Sequence, residues 1–113
     1  MLPNIHGKPD IVIPGERQYR DADYPTRRLI ILGVKMTCKD RWRQVLNEGH
    51  RVARKHILTT QRGISTNQLR EMNEANVTLV VPAALQKDYP PERPIRMLTI
   101  DEFVEQARRL NVQ

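Results

Sequence analysis

The sequence predicts an α/β fold in which a mixed β-sheet is flanked by helices. Short apolar runs, typical of buried strands, alternate along the chain with segments whose apolar residues recur at helical spacing. Turn-forming residues or helix-capping motifs separate most of these segments. With 113 residues, the chain is long enough for one domain with a single modest core.

The apolar runs predict four strands. A short strand is expected at Ile11–Ile13, where Pro14-Gly15 ends it with a turn. The continuous apolar run at residues 29–34 is typical of a strand that is buried on both faces. Two further strands are expected at 56–60 and 77–81. Residues 16–26, between the first two strands, are expected to form an exposed loop.

Helical periodicity and capping motifs predict three helices. The first covers about residues 39–54, where apolar residues recur at helical spacing. Ser65 and Gln68 have the form of a capping box and open a second helix, which ends near Ala75. Thr99 and Glu102 open the third helix, whose apolar stripe contains Phe103, Val104, Ala107 and Leu110. The proline-rich residues 82–95 are expected to be an irregular connection.

Composition and charge narrow the classes of function. The 19 Lys and Arg residues exceed the 13 Asp and Glu residues, and the net charge is +6. This balance favours a polyanionic partner such as nucleic acid, although many ordinary domains are also basic. The single cysteine, Cys38, excludes an intramolecular disulfide and a multi-cysteine zinc site. The sequence contains no signal-like or membrane-spanning apolar run, so we expect a cytoplasmic protein.

An aspartate before the first strand and a lysine after the second indicate a phosphodiester-cleaving site. If the two strands pair, the side chains of Asp10 and Lys35 can meet at one end of the sheet. A carboxylate there can hold Mg²⁺ through its oxygens. The lysine ammonium can position and deprotonate a water, or neutralise charge on the phosphate. Glu48, on the predicted helix, is the candidate for a second carboxylate ligand.

Each of these residues also has an ordinary structural explanation. Asp10 follows a proline and can simply cap a turn. Lys35 can be a solvated residue at a strand end. Glu48 can pair with Arg41 or Arg51 on the helix surface. Only the joint pattern favours a catalytic site.

The predicted helix at residues 39–54 and its end are strongly basic, with Lys39, Arg41, Arg43, Arg51, Arg54 and Lys55. A solvated face explains most such runs, but an arginine in the major groove can also read guanine through two hydrogen bonds. Asp40 can accept from a cytosine amino group, or act only as a favourable anion at the helix start. Tyr19 can position a phosphate or a water, although local aromatic packing is the interpretation that its sequence context favours.

The segment at residues 35–48, KMTCKDRWRQVLNE, closely resembles the catalytic segment of the C-terminal domain of EcoRII-type restriction endonucleases. That family belongs to the PD-(D/E)xK nuclease superfamily. The resemblance continues through KHILTTQRGISTNQLREM and VTLVVPAALQKDYP to the closing helix, and so covers most of the chain. It implies a restriction-endonuclease-like core for the predicted mixed sheet.

The resemblance also implies roles for individual residues. The metal-binding aspartate of the family falls on Asp10, its catalytic lysine on Lys35, and its displaced acidic residue on Glu48. A second active-site lysine falls on Lys39, and the active-site tyrosine falls on Tyr19.

The base-reading cluster of the family falls on Asp40, Arg41 and Arg43. This implies recognition of G·C pairs in a short, nearly palindromic site such as CCWGG. Members of the family look like Mg²⁺-dependent homodimers that hydrolyse both strands of DNA. The usual acidic position of the superfamily, two residues before the lysine, is Gly33 here. The EcoRII-type family shares this displacement and uses the helical glutamate instead.

The superfamily core begins with a helix and a strand ahead of the strand that follows the aspartate. We therefore expect residues 1–113 to form a single restriction-endonuclease-like catalytic domain that lacks the N-terminal part of the core. The alternatives are a fragment, a relic, or a minimal form whose exposed sheet edge is completed by a partner chain. The function expected is a Mg²⁺-dependent type II restriction-like endonuclease acting on duplex DNA. The alternatives are a catalytically silent, truncated DNA-binding domain of the same fold, or a small interaction protein whose basic face is only solvated.

Overall fold

A computed structural model describes residues 11–35, 42–47 and 51–111, and the structural statements that follow concern those residues. Five strands form one sheet whose spatial order is the same as their order in the chain. They are β1 (Ile11–Ile13), β2 (Ile30–Val34), β3 (Lys55–Leu58), β4 (Val77–Val80) and β5 (Met97–Leu98).

The sheet is mixed, as the sequence predicts. β1 runs antiparallel to β2, with Ile11 opposite Leu32. The three remaining pairs are parallel, so that His56 of β3 lies between Leu32 of β2 and Thr78 of β4. The carboxyl ends of β2, β3, β4 and β5 therefore share one edge of the sheet, and the antiparallel β1 begins at that same edge.

Helices cover both faces of the sheet. They are α1 (Glu16–Arg20), α2 (Trp42–Val45), α3 (Thr66–Glu74), α4 (Ala83–Gln86) and α5 (Ile100–Asn111), and a short 3₁₀ turn lies at Thr26–Arg28. The α/β class with helices flanking a mixed sheet is confirmed. None of the helices in the described ranges is long and apolar enough to cross a membrane.

Two clusters of buried side chains hold these layers together, because successive residues of a strand point to opposite faces. On one face, Ile57 and Leu79 pack with Trp42 and Val45 of α2 and with Leu69 of α3. On the other face, a cluster contains Ile30, Leu32, Val80, Leu98 and Phe103, the last from α5. The apolar run that predicts β2 is buried as expected up to Gly33, whereas Val34 is 42% exposed.

Both predicted capping boxes mark helix starts. The Ser65 hydroxyl accepts from the backbone N–H of Gln68 at 3.2 Å and begins α3. The Thr99 hydroxyl accepts from Glu102 N–H at 3.1 Å, and the Glu102 carboxylate accepts from Thr99 N–H at 2.8 Å. After α3, Asn76 has a φ of 65°, a left-handed conformation that asparagine tolerates at a helix end.

The predicted helix at residues 39–54 is wrong over much of its described part. α2 ends at Val45, a turn follows at residues 46–47, and residues 51–54 are not helical. Lys55 belongs to β3 and is only 3% exposed, and its ammonium donates to the Val52 carbonyl. Val52 was expected on the predicted helix and Lys55 at its end. Instead, Val52 lies in the connection before β3, and Lys55 is the first residue of β3.

Arg51 explains why the helix does not continue. Its guanidinium donates to the backbone carbonyls of Gln18, Tyr19, Asp21 and Tyr24, and its Nε donates to the Thr26 hydroxyl at 3.0 Å. One side chain therefore ties the chain before β3 to the β1–β2 connection. This tertiary contact overrides the local helical periodicity.

The sequence also misses three elements in or next to its predicted loops, namely α1, α4 and β5. Residues 82–95 were expected to be an irregular connection, but they contain α4 (Ala83–Gln86). The segment at 16–26 was expected to be an exposed loop, but it contains α1. β5 has only two residues and lacks the length on which period-2 patterning depends. It nevertheless extends the sheet, since Leu79 N–H donates to Arg96 O at 3.1 Å and Val81 N–H donates to Leu98 O at 2.8 Å.

The capping box of α5 gives a direct test of this fold. We expect Thr99→Ala to lower the free energy of unfolding by about 1 kcal/mol, because an orphan helix N–H loses its acceptor. Thr66→Ala is the matched control, since Thr66 is exposed and lies inside the first turn of α3. It should be neutral within about 0.5 kcal/mol. Urea denaturation measures both changes, and an equal cost for the two would contradict the capping role.

Candidate active site at the carboxyl edge of β2

Lys35 lies where the sequence places it, directly after the last residue of β2. Its backbone N–H donates to the Leu58 carbonyl at 3.0 Å, so its main chain is held by the end of β3. Its side chain is half-buried rather than fully solvated. The geometry therefore fixes the base of the side chain and leaves the ammonium able to reach a ligand at this edge.

The pairing on which the predicted site depends is present. Asp10 lies outside the described residues, but it is bonded to Ile11, the first residue of β1. Ile11 is in register with Leu32, three residues before Lys35. The antiparallel pairing thus brings the start of β1 to the same edge as the end of β2.

Gly33 of β2 accommodates a close approach of α2. A Cβ atom built at Gly33 would lie 2.7 Å from Cγ2 and 3.3 Å from Cγ1 of Val45. Val45 is fully buried, so it has little room to move away. An acidic side chain in the usual superfamily position is therefore incompatible with α2 packed here. This packing gives a physical reason for the displacement of the acidic residue that the sequence resemblance implies.

Several of the predicted site residues are not part of the described structure. Glu48, Lys39, Asp40 and Arg41 all fall outside the described ranges, as does Asp10. Within those ranges, no group of three or more His, Cys, Asp or Glu residues could hold a metal ion. Asp10 and Glu48 would supply carboxylate oxygens, which are the donors that a hard divalent cation prefers.

Tyr19 is part of α1 rather than of a loop. Its ring packs against the cluster of Leu29, Ile31 and Val52, and its hydroxyl oxygen accepts from the backbone N–H of Arg51 at 3.1 Å. The same side chain therefore anchors the β1–β2 connection to the core. Its phenolic hydrogen can still donate to a ligand.

Arg43 is the predicted base-reading residue that the structure describes. Its guanidinium lies over the Trp42 ring, 4.6 Å from the ring centroid, and forms an ion pair with Glu71 at 2.9 Å. The side chain is 57% exposed despite these contacts. Because exposed ion pairs contribute little free energy, the guanidinium can exchange Glu71 for a nucleic-acid acceptor at small cost.

Sequence reasoning missed His56 and Arg51 as organising residues. His56 is buried, and its ring lies 5.3 Å from that of Phe103. Burial, assisted by the charges of Arg54 and Arg96, lowers the pKa of His56 from 6.5 to about 4. The sequence places His56 in the predicted strand at 56–60, but no local pattern indicates that its ring is buried against Phe103.

The sequence of this chain is similar to the sequences of known restriction enzymes. The family model described as EcoRII C terminal matches residues 4–104. The type II restriction enzyme EcoRII of Escherichia coli is 43% identical over 103 residues, which cover 91% of this chain and 26% of that enzyme. The type II restriction enzyme SsoII of Shigella sonnei is 27% identical over 104 residues, which cover 90% of this chain and 33% of that enzyme.

The fold of this chain is also similar to the folds of two solved structures. Metal-depleted Ecl18kI in complex with uncleaved, modified DNA matches with a TM-score of 0.75 and 25% identity, over 96% of this chain and 38% of that one. A second metal-depleted Ecl18kI complex, with uncleaved DNA, gives a TM-score of 0.72 at 24% identity over 90% and 36% of the two chains. This chain therefore spans between 26% and 38% of the length of these relatives.

The contact between Gly33 and Val45 yields a prediction for stability. Gly33→Ala should lower the free energy of unfolding by about 1–3 kcal/mol, because the added methyl overpacks the interface of β2 with α2. In a Val45→Ala background the same substitution should cost much less, since the clashing methyl groups are gone. A double-mutant cycle by chemical denaturation measures this coupling. An equal cost of Gly33→Ala in both backgrounds would contradict the close approach.

Proposed function

This chain belongs to the EcoRII C-terminal family, and from that premise we propose that it is the catalytic domain of a Mg²⁺-dependent type II restriction-like endonuclease. Its substrate would be duplex DNA with a short G·C-flanked site such as CCWGG. The observation that carries the proposal is the antiparallel register of β1 and β2. This register gives the residue before β1 and the residue after β2 a common edge.

Lys35 is assigned the central catalytic role. In phosphodiester hydrolysis, a water oxygen forms a bond to phosphorus while the bond from phosphorus to one ester oxygen breaks. Negative charge grows on the phosphate and on the leaving oxygen during this step. An ammonium held at the end of β2 can orient the water and stabilise that charge. The hydrogen bond from the Lys35 backbone N–H to the Leu58 carbonyl fixes the base of this side chain.

Asp10 and Glu48 would hold the metal ion through carboxylate oxygens. Bound Mg²⁺ supplies positive charge next to the phosphate and lowers the pKa of a coordinated water. The chain's own contribution is to bring the two carboxylates to the edge that carries Lys35. Packing of α2 on Gly33 leaves no room for an acidic side chain at that position, which supports an acid from elsewhere in the chain.

Two further residues are assigned supporting roles. Lys39 would place a second ammonium near the scissile phosphate and share the neutralisation of its charge. Tyr19 would donate its phenolic hydrogen to a phosphate oxygen or to a water, while its oxygen stays bonded to Arg51 N–H.

Recognition of the DNA sequence is assigned to the segment between Lys35 and Glu48. Arg41 and Arg43 would each donate two hydrogen bonds to a guanine in the major groove, and Asp40 would accept from a cytosine amino group. Stacking of Arg43 on Trp42 restricts its guanidinium, which lowers the entropy that base contact would cost.

A nearly palindromic site would be read by a homodimer, because a two-fold protein matches the two-fold symmetry of the DNA. Each protomer would then cut one strand. A protein that acts on cellular DNA in this way would work in the cytoplasm. The alternative function is binding of DNA without cleavage by the same edge and helix.

A cleavage assay with matched variants tests this proposal. The wild type, Lys35→Ala and Arg108→Ala are each incubated with a CCWGG duplex and Mg²⁺. Arg108 is exposed on α5, so its variant controls for the loss of one positive charge. We expect cleavage by the wild type and by Arg108→Ala, and a rate that is about 10²-fold or more lower for Lys35→Ala.

Two control conditions sharpen the result. Chelation of Mg²⁺ should stop cleavage, and replacement of the outer G·C pairs should reduce it. Binding of the CCWGG duplex without cleavage by any variant would support the silent DNA-binding alternative. Equal cleavage by the wild type and Lys35→Ala would overturn the catalytic assignment of Lys35.

A further inference from the structure

A second cationic site lies at the opposite edge of the sheet. A cavity of about 410 Å³ opens beside Ile30, the first residue of β2, and His56, near the start of β3. The amino ends of parallel strands form this edge, whereas Lys35 lies at their carboxyl edge. The walls of the cavity are largely apolar and include Leu29, Val52 and Leu110.

Three arginines surround this cavity: Arg27, Arg54 and Arg96. No carboxylate is among its lining residues in the described part of the chain. Arg54 donates to the Thr78 hydroxyl at 2.9 Å, and Arg96 donates to the Gln106 carbonyl oxygen at 3.0 Å. Both partners are neutral, so three permanent charges line one concavity, and only Arg96 also lines a neighbouring cavity that contains the carboxylates of Asp101, Glu102 and Glu105. Such clustering costs free energy unless an anion joins it.

The side chain of His56 also lines this cavity. Arg96 donates a hydrogen bond to the amide oxygen of Gln106 and thereby orients the amide group. The amide NH₂ group of Gln106 then donates to His56 Nε2 at 3.0 Å. The ring is neutral at physiological pH because its pKa is about 4. Since Nε2 accepts, the ring proton lies on Nδ1, which is buried and has no hydrogen-bond partner among the described atoms.

We propose that this cavity binds a phosphate group. A phosphate offers several acceptor oxygens and negative charge to forked guanidinium donors, which bind it in paired hydrogen bonds. A carboxylate would offer fewer acceptor oxygens to three arginines. The apolar walls leave room for the carbon skeleton to which the phosphate is attached. The site is separate from the proposed cleavage edge, and its occupancy does not depend on catalysis.

The source of the phosphate is either a nucleic-acid backbone or a free phosphate compound. The experiment records the ring signals of ¹⁵N-labelled histidines in the full chain by NMR, during titration with inorganic phosphate at constant ionic strength. It is repeated with Arg27→Gln, with Arg96→Gln and with Arg70→Gln. Arg27 is exposed and has no side-chain partner within the described ranges, so its substitution should leave the fold intact. Arg70 lies on α3, on the other face of the sheet, and controls for charge.

We expect phosphate to shift the His56 signals of the wild type and Arg70→Gln with similar affinity. Affinity should be about tenfold weaker in Arg27→Gln and in Arg96→Gln. Competition by a duplex without CCWGG would support the proposal with a backbone phosphate as the source, and saturation without competition would support it with a free phosphate compound. The proposal is overturned if His56 does not respond, or if Arg27→Gln and Arg70→Gln bind phosphate equally.

Discussion

The direct contact between α2 and β2 is the constraint on which the rest of the structure depends. Because Gly33 has no side chain, Val45 can pack against the backbone of β2 within a distance that any Cβ would obstruct. Trp42 then fills the core beside Ile57 and Leu79. A strand position that carries an acid in the usual superfamily pattern is thereby used for packing against α2.

The sequence predicts the parts of this fold that are determined locally. The buried strand β2 and the capping boxes at Ser65 and Thr99 depend on residues within one or two turns of each other, and all three are confirmed. The resemblance to EcoRII-type C-terminal domains is confirmed as well. Membership of that family also accounts for the mixed sheet, which local patterns alone predict only in outline.

Long-range contacts account for what the sequence does not predict. Apolar residues recur at helical spacing beyond Val45, but the chain is not helical at residues 51–54. There, hydrogen bonds from the Arg51 side chain hold it against the β1–β2 connection. The same contacts turn Tyr19 from an expected loop residue into an anchor. For the candidate site, the strand pairing and the place of Lys35 follow the prediction. The roles assigned to Asp10, Glu48, Lys39, Asp40 and Arg41 stay predictions, because those residues lie outside the described ranges.

Positively charged residues lie at both the carboxyl edge and the amino edge of the sheet. At the carboxyl edge, Lys35 follows the last residue of β2. At the amino edge, Arg27, Arg54 and Arg96 surround the cavity next to His56. The net charge of +6 favours the approach of a polyanion.

The central claim is that a divalent metal binds where β1 begins and β2 ends. Mn²⁺ accepts the same oxygen ligands as Mg²⁺ and broadens NMR signals of nearby nuclei. Titration with substoichiometric Mn²⁺ should broaden the amide signals of Ile11, Val34 and Lys35 much more than that of Met97 in β5, the edge strand farthest from β1, and Asp10→Asn should abolish the broadening. Uniform broadening, or broadening that survives Asp10→Asn, would contradict a metal site at this edge.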